Sequence, residues 1–198
     1  MSQVNPKDVD RIFQLINDCS LQSLKSQIKG ADGEVQAVEV DPNSDFSYDH
    51  WICCIVVAFQ EISITFTTHF TSKAARELAS RGTKMAIADI SPKISHDFMR
   101  EYANITAGSI KDTLQKCDFK QERPHPTMLP VQEPSFDIVK IDTSDDQWVS
   151  HWILKVSDSC SLICSGKLEI SDASFTNKLD KLDEASMAID DEGEIDFF

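Results

Sequence analysis

The chain has 198 residues, 33 of them acidic against 19 basic, for a formal net charge of −14. A surface of that sign repels nucleic-acid phosphates and anionic lipid, so no nucleic acid and no membrane is expected as a partner. The longest apolar run, "WICCIVVAF" at 51–59, is too short to span a bilayer. No basic segment leads into an apolar stretch at the N-terminus, and six cysteines (Cys19, Cys53, Cys54, Cys117, Cys160, Cys164) match no zinc spacing. A cytoplasmic protein is expected, with buried reduced thiols and a core large enough to need no disulfide.

The first helix is announced by Asn5 as cap, Pro6 at the first helical position and Asp8 in the first turn. Ile12, Leu15, Ile16, Cys19 and Leu24 form its apolar stripe, which predicts a helix over 6–29 ended by Gly30 and Gly33. "EVQAVEV" reads as a short alternating strand, "WICCIVVAF" as a strand buried on both faces, and "ISITFTT" as a strand with one polar face. "SKAARELASRG" predicts a short helix ended by Gly82. "ISPKISHDFMREYANITAGSIKDTLQKC" predicts a long one entered near Pro92, with Ile94, Phe98, Tyr102, Ile105, Ile110 and Leu114 as its buried stripe. Pro124, Pro126, Pro130 and Pro134 then interrupt regular structure. "FDIVKID", "QWVSHWILKV" and "SLICSGKLEI" predict three more strands, the last two a hairpin that places Trp148 and Trp152 in the core or at a dimer interface.

The fold class that follows is α+β, in two pseudo-repeated halves of a helix plus three strands, forming a sheet with long helices packed on it. Sliding the chain by 87 residues lays Asp10–Lys25 over Asp97–Asp112 with the helix patterns in phase; Asp10 falls on Asp97, Gln14 on Glu101 and Asn17 on Asn104. Past Thr176 the chain holds eight acidic and two basic residues, the composition of a tail rather than a core element.

Asp97, Glu101 and Asn104 stand at i, i+4 and i+7, so they form a row on one helix face. Asn104 is a poor helix former in mid-helix, and Gly108 costs about 1 kcal/mol relative to alanine. With Ala103 and Ala107, Gly108 gives the row a low-bulk margin that would let another protein approach the backbone. The five histidines are scattered without metal or nucleophile spacing, and no phosphate-binding loop or dinucleotide fingerprint occurs.

Asp, three residues, Glu, two residues, Asn, and then Gly108 resembles the signature of the CheC/CheX/FliY chemotaxis phosphatases, with Pro126 lying 22 positions past Asn104 near the family's proline. The resemblance implies a CheC/CheX-like fold, with residues 1–172 as a CheX-like phosphatase domain and 173–198 as an acidic C-terminal tail. It implies removal of the phosphoryl group from the aspartate of a CheY-like response regulator. Asn104 would orient the attacking water and Glu101 would position the regulator, with Asp97 and Gly108 also meeting that partner. Mg²⁺ would be bound by the regulator, leaving this chain with no cofactor or metal site of its own. A CheX-like homodimer is a further implication.

The first half departs from the pattern, with Gln14 in place of Glu and Leu21 in place of Gly, so one working site is expected and Asn17 is read as a remnant. The terminal "EGEIDFF" resembles the acidic-apolar "EID" segment by which FliM and FliY hold phosphorylated CheY, which makes Ile195 and Phe197 candidate partner-binding residues. Two rival readings remain: a CheX-like module that binds a regulator or sensor without turnover, and a dimerisation scaffold that uses only its sheet.

Overall fold

The computed structural model describes residues 4–28, 35–39, 51–120, 122, 127–128 and 147–182. Helix α1 spans Pro6–Gln27, and its start follows the sequence signal: Asn5 is extended and its side chain accepts from the Lys7 N–H at 3.1 Å, ahead of Pro6. Helix α2, Ser72–Thr83, is capped by Thr71, whose Oγ1 accepts from the Ala74 N–H at 3.0 Å. Helix α3, Pro92–Lys116, is capped by Ser91, whose Oγ accepts from the Ile94 N–H at 3.2 Å.

The strands are β1 (Gln36–Glu39), β2 (Trp51–Ala58), β3 (Ile62–Phe70), β4 (Thr127–Met128), β5 (Gln147–Ser157) and β6 (Cys160–Ile170). They make one antiparallel sheet of order β1-β5-β6-β3-β2-β4. Exchanging β1 with β4, β2 with β5 and β3 with β6 reads this order backwards, which is the mark of a two-fold relation between halves. The helices agree. At the 87-residue offset, Ile12 and Met99, Leu15 and Tyr102, Ile16 and Ala103, Cys19 and Thr106, Ser20 and Ala107, and Ser23 and Ile110 are buried in pairs.

Several boundaries move. Segment "FDIVKID" lies outside the described residues, as do Lys29, Gly30 and Gly33, and the first strand of the second half is the two-residue β4 on the edge beside β2. Gly82 does not end α2, which runs on to Thr83 and stops at Lys84 with φ 60°. Gly82 has a packing role instead: a Cβ there would stand 2.5 Å from Phe98 Cε2 and 3.0 Å from the Gln27 carbonyl, where α2 presses on α1 and α3 together.

The expected tail does not begin at residue 173. A 3-10 segment, Ala173–Lys178, follows β6 as α2 follows β3, and Phe175, Leu179 and Leu182 are buried in the core. Arg11 Nη2 donates to the Leu179 carbonyl at 2.6 Å, fixing this strap to α1; the Lys178 ammonium pairs with the buried Glu61 carboxylate. Composition missed this because three apolar residues spaced through an acidic stretch suffice to dock it.

The buried stripe of α3 is also rotated from the one expected. Met99, Tyr102, Ala103, Thr106, Ala107, Ile110 and Leu114 are buried, whereas Ile94, Phe98 and Ile105 are half-buried. Small residues on this face let α1 come close: the Ser109 hydroxyl donates to Cys19 Sγ at 3.4 Å, and the Tyr102 hydroxyl to the Ser20 carbonyl at 3.2 Å. Trp152 is in the core, its Nε1–H donating to Ser20 Oγ at 3.0 Å.

Candidate functional site

Tyr102 sets the rotation of α3. Its ring is fully buried edge-on to Phe66, at 6.0 Å between centroids, and its hydroxyl is tied to α1. With Tyr102 inward, Glu101 and Asn104 on either side of it must point to solvent, and both are exposed. Neither has a hydrogen-bond or ion-pair partner among the described residues. That leaves an acceptor-only carboxylate and a donor-plus-acceptor carboxamide one turn apart, with their hydrogen-bonding capacity available to something outside the chain.

Asp97 behaves differently from Glu101. Its Oδ2 takes the Lys93 ammonium at 2.6 Å and its Oδ1 takes Arg100 Nη1 at 3.0 Å. The Lys93 hydrogen bond, seconded by the Arg100 guanidinium, holds this carboxyl below the usual carboxylate range. The i, i+4 repulsion expected between Asp97 and Glu101 is thereby relieved, and Glu101 is the carboxylate of the row without a cation of its own.

The low-bulk margin is narrower than the sequence suggested. Ala103 and Ala107 are fully buried, so they are closed to a visitor. Gly108 alone remains, half-buried, and a Cβ built on it would meet nothing within 4 Å. No neighbour among the described residues demands glycine there.

At the N-terminal end of the row, His96 lies against Trp51, 4.5 Å between ring centroids, and Phe70, at 6.1 Å. Burial, and next Arg100, pushes its pKa down and favours the neutral ring. The Trp51 indole N–H is held by Ser72 Oγ at 2.9 Å.

The first-half copy is closed. Gln14 Nε2 donates to Asp18 Oδ1 at 2.9 Å, Asn17 Oδ1 is buried without a hydrogen-bond partner among the described residues, and Leu21 stands where the second copy has Gly108. Asn17 and Asn104 are equivalent along the helix, yet Asn17 is half-buried with its amide oxygen closed off and Asn104 is exposed. Pro126, Ile195 and Phe197 lie outside the described residues.

All six cysteines are buried; burial pushes the Cys53 and Cys164 thiols up to about 12 and those of Cys19 and Cys160 to about 11, so none is poised as a nucleophile. Among the described residues no group of three or more His, Cys, Asp or Glu could hold a metal ion, and no helix is long and apolar enough to cross a membrane.

Two halves related by a two-fold, with paired long helices on a shared six-stranded sheet, make a CheC/CheX-like fold. Among solved structures, the CheX-CheY-BeF3-Mg²⁺ complex from Borrelia burgdorferi matches with a TM-score of 0.61 at 12% identity, over 84% of this chain and 99% of that one. CheX from Vibrio vulnificus matches with a TM-score of 0.58 at 12% identity, over 80% and 96%. The FliM-SpeE complex from H. pylori matches with a TM-score of 0.54 at 13% identity, over 91% and 98%. At these identities the likeness is one of fold. No protein-family model matches the sequence, and no curated protein matches it.

Proposed function

We propose that the protein is a phosphatase of a phosphorylated, CheY-like response regulator, with Glu101 and Asn104 of α3 as its working pair. The observation that carries this reading is the pair itself: two polar side chains one turn apart, both exposed and without partners among the described residues, on a helix whose rotation is fixed from beneath by Tyr102. A neighbour of the same fold has been solved in complex with CheY, BeF3 and Mg²⁺.

The chemistry needs no strong base. Hydrolysis of an aspartyl phosphate passes through a loose transition state, so placing a water in line with the scissile P–O bond accounts for most of the acceleration. The Asn104 carboxamide can accept from that water through its oxygen and donate to a phosphoryl oxygen through its nitrogen. Glu101, with no cation of its own, pairs with a lysine of the regulator and fixes the docking angle. Mg²⁺ held by the regulator offsets the developing charge.

The second reading is a binding module without turnover. FliM complexes among the fold neighbours keep it in view. One experiment separates the two. Purified protein is added to the acyl-phosphorylated regulator with Mg²⁺, and phosphate release is followed for the wild type, Asn104→Ala and Glu101→Lys. Catalysis predicts that Asn104→Ala loses at least tenfold in rate with association intact, and that Glu101→Lys abolishes association, since breaking a desolvated charge pair costs about 2–5 kcal/mol. Phosphate release no faster than spontaneous hydrolysis with the wild type refutes the enzyme reading.

A further inference from the structure

Residues 72–100, covering α2, the turn after it and the first turns of α3, carry six basic and three acidic side chains on a chain whose net charge is −14. The same stretch holds Met85, 39% exposed, and Ile87, 51% exposed, two of the three large apolar residues that are exposed among the described ones. They are not on a loose loop. The Ser80 hydroxyl donates to the Met85 carbonyl at 2.7 Å, Arg76 Nη2 to the Ile87 carbonyl at 3.0 Å, and the Asp89 N–H to the Ala86 carbonyl at 2.9 Å, while Ile90 is buried. Lys84, which leads into them, has φ 60°, a backbone conformation that glycine or asparagine adopts with less strain. Hydrogen bonds to the backbone thus tie down a segment that carries two apolar side chains in water; exposed Lys84 precedes it in sequence, Arg76 bonds to it, exposed Lys73 lies on α2 one turn before Arg76, and Asp89 is its one carboxylate.

We infer that this shoulder is a second docking surface for the response regulator, taking a strip of its surface that carries carboxylates beside apolar side chains. The inference rests on the reading of Glu101 and Asn104 above. Charge complementarity supports it: Mg²⁺ beside a phosphoaspartate is held by one or two carboxylates as well as by the phosphate, so the regulator's phosphorylation site brings acidic groups toward α3. Most of this protein would repel such a face, whereas the shoulder carries a positive local charge. Distance supports it too. Ile87 is four residues ahead of Ser91, the cap of α3, and Ser91 is ten residues from Glu101, about 15 Å along the helix axis, a separation on the scale of the ~30 Å breadth of an 800 Å² patch. Asn104 then acts on the water and the phosphoryl group and Glu101 on the regulator's lysine, while the shoulder adds encounter rate and affinity.

The test uses the full chain and the quadruple variant Lys73→Glu, Lys84→Glu, Met85→Ser, Ile87→Ser. All four residues are exposed, and thermal melting checks that the variant is folded; if it is not, the two charge reversals alone give the same comparison. Phosphate release from the regulator is measured against regulator concentration at low and high salt, and association with the beryllofluoride-activated, Mg²⁺-loaded regulator is measured directly. The expected result is a KM and Kd raised about tenfold with kcat unchanged, and a salt dependence of kcat/KM weaker than that of the wild type. A variant matching an active wild type in KM, Kd and salt dependence overturns the docking surface and leaves the Glu101 and Asn104 reading standing. A wild type that neither accelerates phosphate release nor binds the activated regulator overturns both.

Discussion

Gly108→Ala should make the protein more stable and less able to engage its partner. In mid-helix, glycine is disfavoured relative to alanine by about 0.8–1.0 kcal/mol, largely because it leaves the unfolded chain more freedom to lose. Whether that gain is realised depends on what the new methyl group touches, and at Gly108 it touches nothing within 4 Å. The full propensity difference is therefore expected, about 1 kcal/mol, or a rise in Tm of about 2–4 °C for a chain of this length. Gly82→Ala is the matched control. It has the same intrinsic preference, but its methyl would stand 2.5 Å from Phe98 Cε2 and 3.0 Å from a backbone carbonyl of α1 that cannot swing away, so a net loss of about 1–3 kcal/mol is expected. Urea denaturation at constant m-value reads both. The same Gly108→Ala protein, assayed with the phosphorylated regulator, should show a raised KM, because the methyl occupies the place where a partner approaches α3. If Gly108→Ala lowers stability, the surface over α3 is not open as described. If it stabilises but leaves regulator turnover and association untouched, glycine is not there for the partner.

Truncation after Asp172 removes Phe175, Leu179 and Leu182, all buried, and at about 1.5–3 kcal/mol each the loss rivals the whole stability of a domain; the shortened chain should fail to fold by circular dichroism. Deleting Met187 to Phe198 should instead leave melting unchanged and raise KM for the regulator with kcat intact, as expected for a tethered docking segment that raises local concentration; unaltered kinetics would remove that role for Ile195 and Phe197. Because burial favours neutral His96 in the folded state, the unfolded chain binds more protons as pH falls through about 6.5, so stability declines there. Trp51 fluorescence should report a His96 midpoint below 6.5 that rises in Arg100→Met, and a midpoint at or above 6.5 in the wild type would contradict the packing described. Tyr102→Phe loses the hydrogen bond to the Ser20 carbonyl and should cost about 1 kcal/mol in chemical denaturation, without loss of fold because the ring stays packed.

Much of the architecture follows from local rules. Asn5, Thr71 and Ser91 cap their helices through side-chain oxygens, two of them ahead of a proline, and such signals act within four residues. The Asp97, Glu101, Asn104 row follows from helical spacing, and the Asp97 pairs with Lys93 and Arg100 obey the same i, i+4 and i, i+3 rule. Even the two-fold was legible, because duplicated helices keep their polar and apolar positions in phase. What tertiary structure alone decided is which equivalent positions are open. Asn17 and Asn104 occupy the same place in the repeat, yet one carbonyl is sealed and the other side chain is exposed. Ala103, Ala107 and Gly108 read alike as small residues, yet two are fully buried and one is half-open with room above it. The strap at 173–182 is acidic by composition but is held by three buried side chains and a Lys178–Glu61 pair spanning more than a hundred residues of sequence. Access and burial depend on what a distant segment places above a side chain, and spacing along one helix carries no information about that.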